Sequence, residues 1–250
     1  MKIKNLPLCI AALSLLLFSA CASFRTRDFS SHAPLALVTV VSNQDIYWLG
    51  ENPSSAIDLA VTDFVRDRLG LRRDGATVRI SNAGELINEA DEILRKVLSE
   101  AGVFRLVDKE LVINSQSYTS AGSESPRGRT QRLVAARGYR FIEHNDRRFA
   151  ANLSRELGAN SLLFVTFEFN KEMVSGFGNT GTFRARVTME TVMVNASGRR
   201  LFRDEITTLG SERIAVRSRA YYQEDLMDML REAIGEACYR FIWQFSGTRP

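Results

Sequence analysis

Five arginines carry the densest charge in this chain. Arg127, Arg129, Arg132, Arg137 and Arg140 fall within fourteen residues with no acid among them, and Leu133, Val134, Phe141 and Ile142 are interleaved. Wound as a helix, the stretch is a basic amphipathic surface suited to anionic headgroups. The expected reading of the same arginines is nonetheless a solvated loop that keeps the chain soluble. Phosphates of nucleic acid also draw arginine clusters, so the charge alone does not choose among these uses. Acid–base chemistry has one candidate, His144 with Glu143 and Asp146 close by in sequence. A solvated charged turn is the expected reading of that trio. His32 and His144 are the chain's two histidines, and no His/Cys set has metal-ligand spacing. Gly176-Phe177-Gly178 lacks the third glycine and the following helix of a dinucleotide fingerprint, so Ser175 to Gly181 reads as a mobile loop between strands. The expectation is therefore no catalytic residue, no cofactor, no metal and no enzyme.

Cys21 points elsewhere. Lys2 and Lys4 open the chain, Leu6 to Phe18 is almost wholly apolar, and Ser19-Ala20 places small residues before Cys21. A positive start, an apolar run and a small-residue cut site describe an export signal. The run of about 13 residues is short of the roughly 20 needed to span a bilayer as a helix. Phe18-Ser19-Ala20-Cys21 resembles a bacterial lipobox, with Phe18 where Leu is usual. That resemblance implies cleavage before Cys21, diacylation of its sulfur and acylation of the freed amine. Ala22, not Asp, follows the cysteine, which in the enteric-type sorting rule implies the outer membrane. Each buried CH₂ adds about 0.8 kcal/mol of membrane affinity, so three chains hold where one is marginal.

Removing residues 1–20 leaves about 230 residues and takes Lys2 and Lys4 from a formal charge of +4, so the mature balance is near +2. That is too little to imply nucleic acid, and no nucleic-acid partner is expected of an exported chain. At 45% hydrophobic and 25% charged residues the composition is that of an ordinary globular domain. With Cys9 in the signal and Cys21 acylated, Cys238 is left alone. Apolar neighbours at helical spacing make it a buried small hydrophobe.

Residues 21–34 are polar and read as a lipidated tether, at most about 45 Å when extended. Residues 35–250 read as a single domain with a flexible insertion near 115–131, the Ser/Gly/Thr-rich stretch. Leu35 to Ser42 is a continuous apolar run, a buried strand closed by Asn43. Ile57 to Leu69 repeats at helical spacing, and Thr77 to Ile80 suits a short strand. Asn82 and Glu85 suggest a capping box for a helix over Leu86 to Leu98, ended by Gly102. Val103 to Val107 reads as the next strand. Asp108 caps a helix with Leu111 and Val112. Leu133 to Ile142 is ambiguous. Asp146 caps a helix with Phe149, Leu153 and Leu157 that Gly158 stops. Ser161 to Phe169 is a strand. Phe183, Ala185, Val187 and Met189 alternate with Arg184, Arg186, Thr188 and Glu190. Asn195 to Gly198 then turns into the hairpin partner Leu201 to Leu209. A long helix closes the chain, with Leu226, Leu230, Ile234, Ala237, Cys238, Phe241 and Phe245 on one face. The fold class is α/β, α+β in its last third: a mixed sheet flanked by helices, with a strand meander and a closing helix.

Several of these pieces together resemble a known class. They are the apolar first strand, Val103 to Val112, Leu157-Gly158-Ala159-Asn160 before a strand, the hairpin on Asn195 to Gly198 and the long last helix. Their order is similar to the α/β domain of periplasmic lipoproteins of the curli-secretion CsgG, LpoB and TolB N-terminal class. The resemblance implies a domain without catalytic residues that works by interaction. Two functions are expected from it and from Cys21. One is a non-enzymatic envelope lipoprotein at the outer membrane, held by its acyl chains, with its domain facing the periplasm and binding another envelope protein or itself. The alternative is a membrane-active lipoprotein that inserts amphipathic segments or oligomerises into a channel-like assembly.

Overall fold

The computed structural model describes residues 32–49, 81–122, 132–177, 180–217 and 221–246. The elements over these residues are eight strands and five helices: β1 Leu35–Asn43, β2 Asp45–Trp48, β3 Ser81–Asn82, α1 Gly84–Glu100, α2 Lys109–Ile113, α3 Gln116–Ser120, β4 Leu133–Ala135, α4 Arg147–Leu157, β5 Ser161–Phe177, β6 Thr180–Asn195, β7 Arg200–Leu209, β8 Ile214–Val216 and α5 Gln223–Ser246. They form one mixed sheet flanked by helices, the α/β architecture the sequence implies.

The sheet is organised by the long β5–β6 hairpin. β6 runs antiparallel to β5 along its whole length, from Ser161 opposite Asn195 to Phe177 opposite Thr180. On the other side of β5, β1 and β2 lie end to end, both parallel to it. β7 and β8 likewise follow one another along the far side of β6. β4 pairs antiparallel with β1, and β3 with β2. The parallel β1–β5 pairing requires a crossover, and α1 to α4 supply it.

Asn43 makes the β1–β2 junction work. It is buried, and its side-chain amide takes the place of a peptide group in the ladder. Nδ2 donates to the Phe169 carbonyl at 2.9 Å, and Oδ1 accepts from the Phe169 amide at 2.8 Å. Nδ2 also reaches the Asp45 carbonyl at 2.6 Å. The break between the two strands therefore leaves no buried backbone group of Phe169 unmet.

Helices α1 and α5 pack on each other and on one sheet face. Phe183, Ala185, Val187 and Met189 are fully buried there, as their alternation implies. Every apolar residue expected on the inner face of α5 is buried, Cys238 included. The Cys238 thiol is pushed up to about 12 by burial. Arg231 of α5 is paired with Glu89 of α1 across the helix interface. The Asn195–Gly198 turn forms with Asn195 Oδ1 accepting from the amides of Ser197 and Arg199. Gly198 has φ 72° and lies so close to α4 that a Cβ there would sit 2.7 Å from the Arg147 Cα. Asp146 caps α4 through the Phe149 amide, and Gly158 ends it in the left-handed conformation.

Four local expectations are corrected. Asn82 belongs to β3, and the N-cap of α1 is Ala83, which has no side-chain cap bond, in place of the expected capping box. Val103–Val107 contributes a single bridge, Leu106 to Leu35, in which the Leu35 amide donates to the Arg105 carbonyl and the Val107 amide to the Leu35 carbonyl, because the chain turns into α2 at Asp108. The strand expected to end at Phe169 runs on to Phe177, so Ser175 to Phe177 and Thr180 to Gly181 are ladder residues and not a loop. The first part of the stretch expected as exposed insertion is folded. Ser115 caps α3, and Tyr118 is buried with its hydroxyl donating to the Val38 carbonyl. Residues 123–131, the Ile57–Leu69 repeat and Thr77–Ile80 lie outside the described residues.

Candidate functional site

The three arginines of this stretch among the described residues, Arg132, Arg137 and Arg140, do not share a helix face. Arg127 and Arg129 lie outside the described residues, as do Cys21 and the whole export signal. Arg132 stands just ahead of β4, where its carbonyl accepts from the Gln44 amide. Leu133–Ala135 is strand, because the β1 edge offers it backbone partners that a helix would forgo. Residues 136–145 follow as irregular chain fastened at several points. The Arg137 amide donates to Asn88 of α1 at 2.7 Å. The Arg140 amide donates to the Tyr118 hydroxyl, and its guanidinium to the Thr119 carbonyl at 3.0 Å. Arg132, Arg137 and Arg140 are all exposed, but along a sheet edge that turns past α1 and α3 rather than on one helix face.

The His144 trio is not assembled. The carboxylate of Asp146 is engaged at the α4 cap. His144 instead turns its ring edge to Phe164, 6.3 Å between centroids. Burial lowers its pKa below the ordinary histidine value. Glu190 opposes that shift, while Arg203 and Arg200 reinforce it. A cleft of about 240 Å³ lies beside it, and Glu190 is held by Arg203 at 2.7 Å. A second, larger cleft of about 690 Å³ lies between α3 and α4 over Ile142 and Phe149, with Gln116, Asn145 and Asn152 in its walls. Outside the cleft lining, the Glu156 carboxylate accepts the Gln116 and Ser117 amides and ties α3 to α4. Its pKa is lowered, chiefly by the Ser117 side-chain hydrogen bond. Among the described residues no His, Cys, Asp and Glu group is arranged to hold a metal ion, and no helix is long and apolar enough to cross a membrane.

Two buried charge clusters went unseen in the sequence. Asp91 on α1 is buried and accepts from Arg95 at 3.0 Å and from Lys109 of α2 at 2.6 Å. Tyr139 bonds Arg95, and the Lys109 ammonium sits 4.7 Å over the Tyr139 ring. At the far end of the sheet, Lys171 is buried between Trp48 and Tyr221. Its ammonium is 5.1 Å and 5.2 Å from the two ring centroids and 3.3 Å from the Tyr221 hydroxyl. Phe183 completes the aromatic group, 5.0 Å from Trp48 and 5.1 Å from Tyr221. Both clusters tie elements together. The first joins α1, α2 and the 136–140 segment, and the second joins β2, β5, β6 and the start of α5. The signal for Asp91 was available: an acid at an otherwise apolar helix position, with Arg95 one turn on.

The entry of the chain into the fold is also fixed. The Ala33 and Pro34 carbonyls accept from the Asn160 side chain and amide respectively, so the chain enters the fold beside the start of β5.

No family model matches this chain, and no curated protein matches it in sequence.

Proposed function

We propose that this chain is an outer-membrane lipoprotein, acylated at Cys21, whose α/β body faces the periplasm and acts as a non-enzymatic interaction or assembly module similar to the CsgG, LpoB and TolB N-terminal class. The observation that carries the proposal is the Phe18-Ser19-Ala20-Cys21 sequence at the end of an export signal, twelve residues before Ala33. Acyl chains at Cys21 would keep the body within about 45 Å of the bilayer. The element order of the fold supports the class, and the polar groups of the clefts support interaction over catalysis. Of the carboxylates that line the two clefts, Asp146 is spent on a helix cap and Glu190 on Arg203.

The alternative, a membrane-active lipoprotein with a channel-like assembly, draws support from the length of the β5–β6 hairpin and the exposed Met173 and Val174 near its turn. Against it stands the charge on the β6 face that carries Arg184, Arg186 and Glu190.

Radiolabelled palmitate fed to producing cells tests the proposal. Label should enter the wild-type chain, which should sediment with outer membrane, and should be absent from Cys21→Ser. Equal labelling of the two would refute it.

A further inference from the structure

Six exposed arginines gather where the chain enters the fold. Ala33 and Pro34 meet Asn160 there, and the Ala196 amide donates to the Asn160 carbonyl at 3.2 Å. Arg199 and Arg200 follow that turn, and the Arg199 amide donates to Asn195 Oδ1 at 2.9 Å. Helix α4 lies against the same end. Arg147, its first residue, abuts Gly198, and Leu157, its last, stands three residues before Asn160. It brings Arg147, Arg148 and Arg155. Arg105 joins them because its carbonyl accepts from the Leu35 amide at 2.9 Å. All six are exposed, and none is in an ion pair among the described residues. The segments that hold them, 103–108, 146–160 and 195–200, carry three acids, Asp108, Asp146 and Glu156, and each accepts from backbone amides. Six arginines against three acids leave this end with three positive charges. The opposite end differs. The Gly210 amide meets the carbonyl of Ala185, which lies opposite Lys171, ten residues along β5 from Ser161 and about 33 Å away at the rise of a strand. There residues 209–217 and 221–225 hold Glu212, Glu224 and Asp225 against Arg213 and Arg217, a balance of one negative charge.

We propose that the arginine end is a membrane seat, which holds the body against the anionic phospholipid headgroups of the leaflet that carries the acyl chains. The proposal rests on the lipid-anchor reading above. Cys21 stands twelve residues before Ala33, a reach of at most about 45 Å, so the anchor delivers the body to one leaflet without choosing which side of it faces the lipid. Charge makes the choice. Anionic headgroups attract the arginine end and repel the acidic one, and the attraction acts within a Debye length, about 10 Å at 0.1 M salt. Guanidinium groups suit the task, since their forked donors meet phosphate oxygens in pairs while their stems lie along apolar surface. The backbone beneath them is fixed by the Asn195 turn and the α4 cap, so little order is lost on contact. Arg132 does not belong to this seat. It is level with Gln44, nine residues along the chain from Leu35 and about 30 Å away.

The test uses the full-length acylated protein, purified from membranes and reconstituted on phosphatidylcholine vesicles with or without phosphatidylglycerol. A fluorophore is attached through Ala196→Cys, beside the arginines, or through Ala215→Cys at the opposite end; Cys238 is fully buried and stays unlabelled. A spin label on the lipid headgroup quenches the fluorophore it meets. The expected result is flotation with both kinds of vesicle. Quenching at Ala196→Cys should be at least about three-fold greater with phosphatidylglycerol than without it at low salt, and that difference should vanish at high salt. Ala215→Cys should not be quenched. Arg199→Gln combined with Arg200→Gln should bring the quenching at Ala196→Cys toward its value on neutral vesicles, with the melting temperature unchanged. Equal quenching at the two positions, none at either, or quenching indifferent to phosphatidylglycerol and salt would overturn the seat, while flotation would leave the anchor standing. A chain that does not float with neutral vesicles has no anchor, and the seat falls with it.

Discussion

Replacing Asn43 by Ala removes three hydrogen bonds and almost no apolar contact, so its cost isolates the role of one side chain at the β1–β2 break. In the wild type the Phe169 amide and carbonyl are both met by Asn43. The Asp45 carbonyl receives the same amide group. All of this is buried, between β1 at 0–2% exposure and Phe169 at 0%. A buried polar group left unsatisfied costs about 1–3 kcal/mol. With two such groups on Phe169 the expected loss is about 2–6 kcal/mol. A water admitted to the vacated space would bring the value toward the lower figure. For a domain of this size each kcal/mol moves the melting temperature by about 2–4 °C, so the shift should be about 4–24 °C. Urea denaturation of the chain without residues 1–20, carrying Cys21→Ser, measures it, and the m-value should stay constant. A loss below about 1 kcal/mol would show that the side chain is not a member of the ladder.

Phe241→Ala should cost about 3–5 kcal/mol, because Phe241 is fully buried with Phe245 4.9 Å and Phe202 6.1 Å away, ring to ring. Arg231→Ala breaks a pair whose side chains are 42% and 35% exposed and should cost at most about 1 kcal/mol; equal melting temperatures for the two variants would refute the helix assignment. His144 has its pKa lowered by burial, so the fold favours neutral imidazole. Stability should be full above about pH 6.5 and decline as pH falls toward the lowered value, and His144→Gln should flatten that slope in urea titrations between pH 5 and 7. The domain lacking acyl chains should bind anionic vesicles at low salt and release them at high salt, and Arg127, Arg129 and Arg132 changed together to Gln should weaken sedimentation with vesicles. No binding at low salt would leave these arginines as a solvated edge.

What was legible in the sequence is what periodicity reports. β6 and α5 each bury one face, so alternation at two and at 3.6 residues marked Phe183 to Met189 and Leu226 to Phe245 correctly. Caps at Asp108 and Asp146 were legible because a short acceptor ahead of an apolar repeat has a local role. The β5–β6 hairpin was read too short because Asn170-Lys171-Glu172 interrupts the apolar run. A ladder is held by backbone, however, and Lys171 finds Trp48 and Tyr221 from distant segments. Tyr118 was hidden in polar composition, since nothing local shows that its hydroxyl reaches Val38 eighty residues away. The 133–142 segment was decided by the free edge of β1, a tertiary fact. For the candidate sites, the exposure of Arg132, Arg137 and Arg140 agrees with their composition, while their common helical face does not exist. The arginine end was invisible because its six residues come from three separated stretches of chain.

The central claim is a lipid on Cys21. The mass of the amino-terminal peptide of the protein purified from membranes tests it most directly. The account predicts a chain beginning at Cys21 and heavier by its acyl chains. A chain that retains Met1, or that begins at Ala22 with no added mass, would contradict it.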